Sequence, residues 1–149
     1  MLVDLTVKEF LNKVAGSDPV PGGGSVAALN GAIASALTAM VANLTLGKKD
    51  YELHEELMRH ISEVALQQKE WFVLDVDCDS EAYNDVFACF KMPKATEEEK
   101  AVRSAAIQEA TKHAALVPMQ VARNAYKLMT IIMDVARLGK RNAVTDACV

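Results

Sequence analysis

Apolar residues recur three or four positions apart along almost the whole chain, the spacing that puts them on one face of a helix. No Asn-Gly or Asp-Gly hairpin flanked by alternating residues appears, and no sustained strand alternation. Thr6 is placed to cap a short helix with Val7, Phe10, Leu11 and Val14 inward and Gly16 at its end. The next helix is expected from Ser25 to Leu46. Its large residues are Val26, Leu29, Ile33, Leu37, Met40 and Leu44; a second face carries Ala27, Gly31, Ser35, Thr38 and Ala42. Such a small-residue face suits a core or dimer contact. A long pattern then covers residues 51 to 90, through Leu53, Leu57, Ile61, Val64 and Gln68 to Phe72, Val76, Asp79, Tyr83, Val86 and Phe90. Unbroken, it would be about 60 Å long. Pro93 interrupts it, and Thr96 with Glu99 forms a capping box. Helix is expected to Leu138, with Pro118 as a kink or break and Val121, Ala125, Leu128, Ile132 and Val135 inward, before Gly139 stops it. The expected fold is all-α, an antiparallel multi-helix bundle with long helices, in one domain over residues 1–149.

Composition narrows the class. A chain of 149 residues, 51% hydrophobic with few aromatics, can bury one sizeable core of aliphatic and alanine side chains. No apolar run free of polar residues reaches membrane-spanning length, and no signal-peptide pattern opens the chain. Cys78, Cys89 and Cys148 are read as free thiols of a cytoplasmic protein. A net charge of −4 argues against general nucleic-acid binding, and local positive charge would have to hold any anionic ligand.

Several residues could carry chemistry. Asp18-Pro-Val-Pro-Gly22-Gly23-Gly24-Ser25 leads into a helix, with Ser25 at the expected N-cap. Its free N–H groups suit an anion; a tight loop between touching helices is the plainer reading. No Gly-Lys-Ser/Thr follows at Walker-loop spacing, and no strand precedes the glycines as a dinucleotide fingerprint needs. Asp79 lies on an apolar stripe with Asp75 one turn earlier. Such a carboxylate must find a partner or line a cavity, and two neighbouring carboxylates can divide acid and base roles. Pairing of Asp79 with a Lys or Arg from another helix is the alternative. A calcium loop starting at Asp75 fails, because Ser80 and Val86 stand where glycine and glutamate are needed. Lys48 and Lys49 follow Gly47, either as complements to a helix end or as anion binders; Lys94 is a weaker version of the same. Asn43 could bond a ligand or be a satisfied core residue. Asn142 and Asp146 sit near a helix start, as caps or ligand contacts. His54, His60 and His113 share no metal-ligand spacing, and no serine or cysteine nucleophile context is visible. Tyr83 and Trp71 could stack on a ring or simply pack.

Five segments occur in order: Asp18-Pro-Val-Pro-Gly-Gly-Gly-Ser25, Met40-Val-Ala-Asn-Leu-Thr-Leu-Gly-Lys-Lys49, Asp79-Ser-Glu-Ala-Tyr83, Met92-Pro-Lys94 and Asn142-Ala-Val-Thr-Asp146. Together they resemble the cyclodeaminase domain of formiminotransferase-cyclodeaminase and its free-standing bacterial relatives, methenyltetrahydrofolate cyclohydrolases among them. The resemblance implies an all-helical homodimer acting on one-carbon units of tetrahydrofolate, polyglutamylated forms included, without metal or redox cofactor. Formimino cyclodeamination is the first activity it implies, and methenyl cyclohydrolysis the alternative; a non-catalytic dimerisation module is the reading from another class. It implies catalytic roles for Asp79, Asp75 and Lys48. It implies substrate contacts at Gly22, Gly23, Gly24, Ser25, Asn43, Lys49, Tyr83, Lys94, Asn142 and Asp146. It also implies further helices after Val149, and glycine where Cys148 stands.

Overall fold

The computed structural model describes residues 1–148. Thr6 caps helix α1 (Val7–Val14) through the reciprocal box predicted by its spacing to Glu9: Glu9 N–H donates to Thr6 Oγ1, and Thr6 N–H donates to Glu9 Oε2. The Thr6 hydroxyl, which donates to Glu9 Oε2 at 2.6 Å, and then the Thr6 N–H hold the Glu9 carboxyl below its ordinary range. Of the four residues expected inward, only Phe10 is buried; Val7 and Leu11 face solvent.

Helix α2 spans Gly23–Thr45. Its start corrects the expected cap: Val26 N–H bonds the carbonyl of Gly22 at 3.2 Å, so Gly22 caps and Ser25 lies inside the first turn. Helix α3 (Glu55–Phe90) is continuous after a single 3₁₀ turn at Glu52–His54. At 36 residues it is about 54 Å long. Helix α4 (Glu97–Leu138) begins on the Thr96–Glu99 capping box and runs through Pro118 without a break. Pro118 costs one backbone bond. The four-residue helix α5 (Val144–Ala147) closes the described chain.

The chain divides into two compact units, one of Met1–Ala27 with Leu74–Val121 and one of Ala28–Val73 with Ala122–Val149. In the second unit α2 and α3 are antiparallel, because Gly31 meets Phe72 while Asn43 meets Ser62. The core here joins Val41 and Ala42 to Met58, Ile61, Val135, Ala143 and Ala147. Of the small-residue face expected on α2, Ser35, Thr38 and Ala42 are buried and Gly31 is half-buried, whereas Ala27 is exposed; Ala28, Ala32 and Ala39 are buried beside them. Ser35 and Thr38 hydroxyls donate to carbonyls one turn back, so their burial leaves no donor unmet. Ile33, Met40 and Leu44, on the large-residue face, remain exposed. By length and composition α2 could cross a membrane, yet its small face lies in this core. Leu53, expected inward on the next helix, is exposed, whereas Val121, Leu128 and Val135 of α4 are buried as their spacing predicts. Gly139 ends α4 against Val41 and Thr45, and Thr45 Oγ1 accepts the Lys140 N–H at 2.8 Å.

Candidate active site

The start of α2 and the second half of α3 meet within the first unit. Ser25 N–H donates to Asp79 Oδ2 at 2.9 Å, and Ser25 Oγ lies 3.2 Å from the same oxygen. The anion drawn to this helix start is therefore Asp79 itself. A carboxylate bonded to orphan N–H groups at a positive helix end is a stable arrangement. The partner of Asp79 is thus a helix start, in place of the Lys or Arg of another helix that the sequence left open.

Ser25 is fully buried and its hydroxyl is used internally. It lies 2.9 Å from the Val76 carbonyl and 3.0 Å from Ser80 Oγ, besides its contact with Asp79. With one proton and three oxygen neighbours, Ser25 works as a junction that fixes Asp79 on α3. Gly24 explains the glycine run more sharply than loop flexibility does. A Cβ there would stand 2.0 Å from Asp79 Oδ1 and 2.4 Å from its Cγ. The carboxylate occupies the room the missing methyl leaves. A Cβ on Gly23 would meet no group of another element within 4 Å, so its neighbourhood imposes no such requirement.

The stripe Phe72, Val76, Asp79, Tyr83 leaves the core as it advances: Phe72 and Val76 are buried, Asp79 is half-buried and Tyr83 is exposed. Asp79 is thus held at the edge of the apolar interior. Asp75, one turn before it, is also half-buried, and its Oδ2 is buried with no donor. Burial pushes the Asp75 carboxyl above its ordinary value of 3.8. Burial, and then the charges of Asp75, Glu81 and Asp77, push the Cys78 thiol up as well, away from a reactive thiolate. Asp77 points elsewhere and accepts the Leu2 N–H.

The remaining candidates are distributed. Tyr83 stacks on Phe87, and Lys94 is exposed in the turn after α3, both in the unit that holds Asp79. Asn43, Lys48, Lys49, Asn142 and Asp146 belong to the other unit. Asn43 is exposed and accepts the Ser62 hydroxyl at 2.8 Å. Lys48 and Lys49 are exposed after Gly47, whose φ of +64° is the left-handed helix stop glycine favours. Asn142 lines an open hollow of about 530 Å³ with Tyr51, Lys140 and Arg141. Asp146 lines an apolar one of about 350 Å³ with Leu37, Met129 and Ile132. The capping role weighed for Asn142 is not used: Ala143 takes the N-cap position of α5 with no side-chain bond. Sequence reasoning missed Ser80, Phe87 and Arg103; only Phe87, one turn beyond Tyr83, carried a periodic signal.

An all-helical protein with a carboxylate seated on a glycine-rich helix start is the class that this fold and site define. A family profile, formiminotransferase-cyclodeaminase, matches residues 6–149, and the chain belongs to that family. A methenyltetrahydrofolate cyclohydrolase of Methylorubrum extorquens is 39% identical over 95% of this chain and 68% of its own length. The formimidoyltransferase-cyclodeaminase of Rattus norvegicus is 30% identical over 97% of this chain, which spans 27% of that longer protein. The crystal structure of a formiminotetrahydrofolate cyclodeaminase from Thermotoga maritima superposes with a TM-score of 0.84 at 35% identity, over 99% of this chain and 69% of that one. The resemblance stated from sequence is thereby established, and with it membership of a folate one-carbon enzyme family.

Asp75→Asn is expected to raise the melting temperature at about pH 7. The folded chain holds the Asp75 proton more tightly than the unfolded chain does, since the carboxyl is pushed above 3.8. Stability is therefore lost as pH rises from that ordinary value through the raised one, and the amide removes this loss. Thermal melts across pH should show the gain shrinking towards acid. A gain independent of pH would mean that desolvation of the charge is not its source.

Proposed function

We propose that the chain is a formimidoyltetrahydrofolate cyclodeaminase whose reacting carbon lies against Asp79. The observation that carries this reading is the anchoring of Asp79: Oδ2 is held by Ser25, while Oδ1 takes no donor from the described residues. An oxygen so fixed can face a developing cation without reorganising. N10 of 5-formiminotetrahydrofolate attacks the amidinium-like formimino carbon, the bond to the terminal nitrogen breaks, and ammonia leaves as the 5,10-methenyl bridge closes. The proton lost by N10 is the one the leaving nitrogen gains. Asp75 carries it, because burial biases its carboxyl towards the neutral form that gives a proton, one turn of α3 from Asp79. Lys48, suggested by sequence for proton transfer, is given no step here. The reading needs no cofactor beyond the folate-borne carbon unit.

Methenyltetrahydrofolate cyclohydrolysis is the second reading, favoured by the 39% identical Methylorubrum relative. Water would then attack the methenyl carbon, with Asp79 taking its proton and the bridge opening to the 10-formyl form. A homodimer fits the exposed apolar stripe of Ile33, Met40 and Leu44 on α2, and a cytoplasmic setting fits three free cysteines.

Turnover of both folates, followed by methenyl absorbance, tests the reading. Absorbance should rise with the formimino substrate, and Asp79→Asn should lower that rate by about a hundredfold or more. A fall in absorbance with methenyl substrate and no rise with the formimino one would transfer the assignment to the cyclohydrolase. Unchanged rates in Asp79→Asn would remove Asp79 from the chemistry.

A further inference from the structure

Beyond Asp79 the exposed side of α3 becomes aromatic. Tyr83 and Phe87 lie one and two turns further on, with ring centroids 5.6 Å apart and planes tilted by 32°. Phe87 meets Phe90 edge to face at 6.5 Å. All three rings are exposed, at 39%, 46% and 52%. Three adjoining aromatic faces open to water are a costly surface for a helix with no ligand. The strip ends at a cation: the Arg103 guanidinium lies 5.8 Å from the Phe90 ring centre, and its Nη2 donates to the Phe90 carbonyl at 3.2 Å. Arg103 forms no ion pair with a described residue, and its Nε is buried without an acceptor. One bond to a carbonyl leaves most of a five-donor, positively charged fork unmatched.

Outward from Asp79 the order is reacting carboxylate, aromatic faces on α3, then the Arg103 cation reaching the end of that helix from α4. From Asp79 to Phe90 it covers about 16 Å. A tetrahydrofolate presents the complementary order outward from its reacting carbon: the p-aminobenzoyl ring, then the glutamate carboxylates. We infer that Tyr83, Phe87, Phe90 and Arg103 form the binding strip for the arylglutamate half of the substrate, the rings stacking on the aryl group and Arg103 pairing with a carboxylate. This inference rests on the placement of the reacting carbon at Asp79. It assigns the tail to Arg103, within the unit that holds Asp79, where the sequence had offered Lys48 or Lys49, and less strongly Lys94, as anion binders.

Calorimetric binding of p-aminobenzoylglutamate and of p-aminobenzamide, which keeps the ring and amide without a carboxylate, to the full chain tests the strip without any turnover. Phe87→Ala should weaken p-aminobenzoylglutamate by about tenfold, the scale of one aromatic contact. Arg103→Gln should weaken p-aminobenzoylglutamate and leave the uncharged p-aminobenzamide unchanged, while Arg103→Lys restores part of the loss. With the folate substrate, Phe87→Ala should raise KM and hold kcat within about twofold, since its contact is made equally in ground and transition states. Melting curves for each variant separate these effects from misfolding. Unchanged p-aminobenzoylglutamate affinity in folded Phe87→Ala and Arg103→Gln overturns the strip, and if Asp79→Asn is still inactive the site reading survives that failure. Full activity in Asp79→Asn defeats the site reading instead, and the strip as a substrate tail site with it. Should Phe87→Ala turn a dimer into a monomer without altering affinity, the strip is a subunit contact and the inference is wrong.

Discussion

Gly24→Ala should abolish turnover while leaving the protein folded. The new methyl would stand 2.0 Å from Asp79 Oδ1 and 2.6 Å from Oδ2, distances at which one group must move. The helix backbone is the stiffer partner, so the carboxylate rotates away and gives up Ser25. Misplacing a reacting group by about 1 Å can cost a hundredfold in rate, and this displacement is at least that large. The stability effects nearly cancel. Losing a carboxylate cap costs about 1–2 kcal/mol, whereas alanine in place of glycine returns about 1 kcal/mol to the helix. The melting temperature should therefore fall by only about 3 °C or less. Circular dichroism melts beside folate turnover would check both halves. Normal turnover in a folded Gly24→Ala protein would mean that the seat of Asp79 has no catalytic consequence.

The parts of this structure written locally in the chain were legible there. Thr6 with Glu9 and Thr96 with Glu99 are three-residue signals, and both helices begin on them. Periodicity carried α3 over its full length, and in α4 it prevailed over Pro118, the one local signal against it. The small-residue face of α2 was legible as a core or dimer contact, and the core took most of it. What was not legible is why that face wins over the one with large residues: Gly31 lets the Phe72 ring approach the backbone. That preference belongs to a pair 41 positions apart, and no single helix records it. Asp79 stood out as a carboxylate on an apolar stripe, but its partner did not. A backbone N–H at Ser25 has no side-chain signature, and the bond spans 54 positions. The same contact explains the shifted cap: Ser25 spends its hydroxyl across helices, so Gly22 takes the start. The glycine run drew attention as an anion site, and it is one, filled by the protein's own acid.

The same substitution seven residues along α2 should have the opposite profile. In Gly31→Ala the methyl would come within 2.7 Å of Phe72 Cδ1 and Cε1 and 2.9 Å of Cγ. Asp79 is half-buried and can swing towards water; Phe72 is fully buried and has nowhere to go. Overpacking of this kind costs about 1–3 kcal/mol, and a rigid ring against a helix backbone belongs at the upper end. The helix-propensity gain of alanine offsets about 1 kcal/mol. A net loss near 2 kcal/mol corresponds to a fall of roughly 4–8 °C in melting temperature for a domain of this size. Steric origin can be separated from a generic loss by adding Phe72→Leu. Alone, that change trims a buried ring and destabilises; with Gly31→Ala it also removes the clash. The two costs should therefore sum to more than the double variant loses, by about 1 kcal/mol of coupling. Strict additivity would show that Gly31 is glycine for some reason other than the ring lying on it. Close passage of Phe72 over α2 thus predicts a loss of stability, where the Asp79 seat predicts a loss of chemistry.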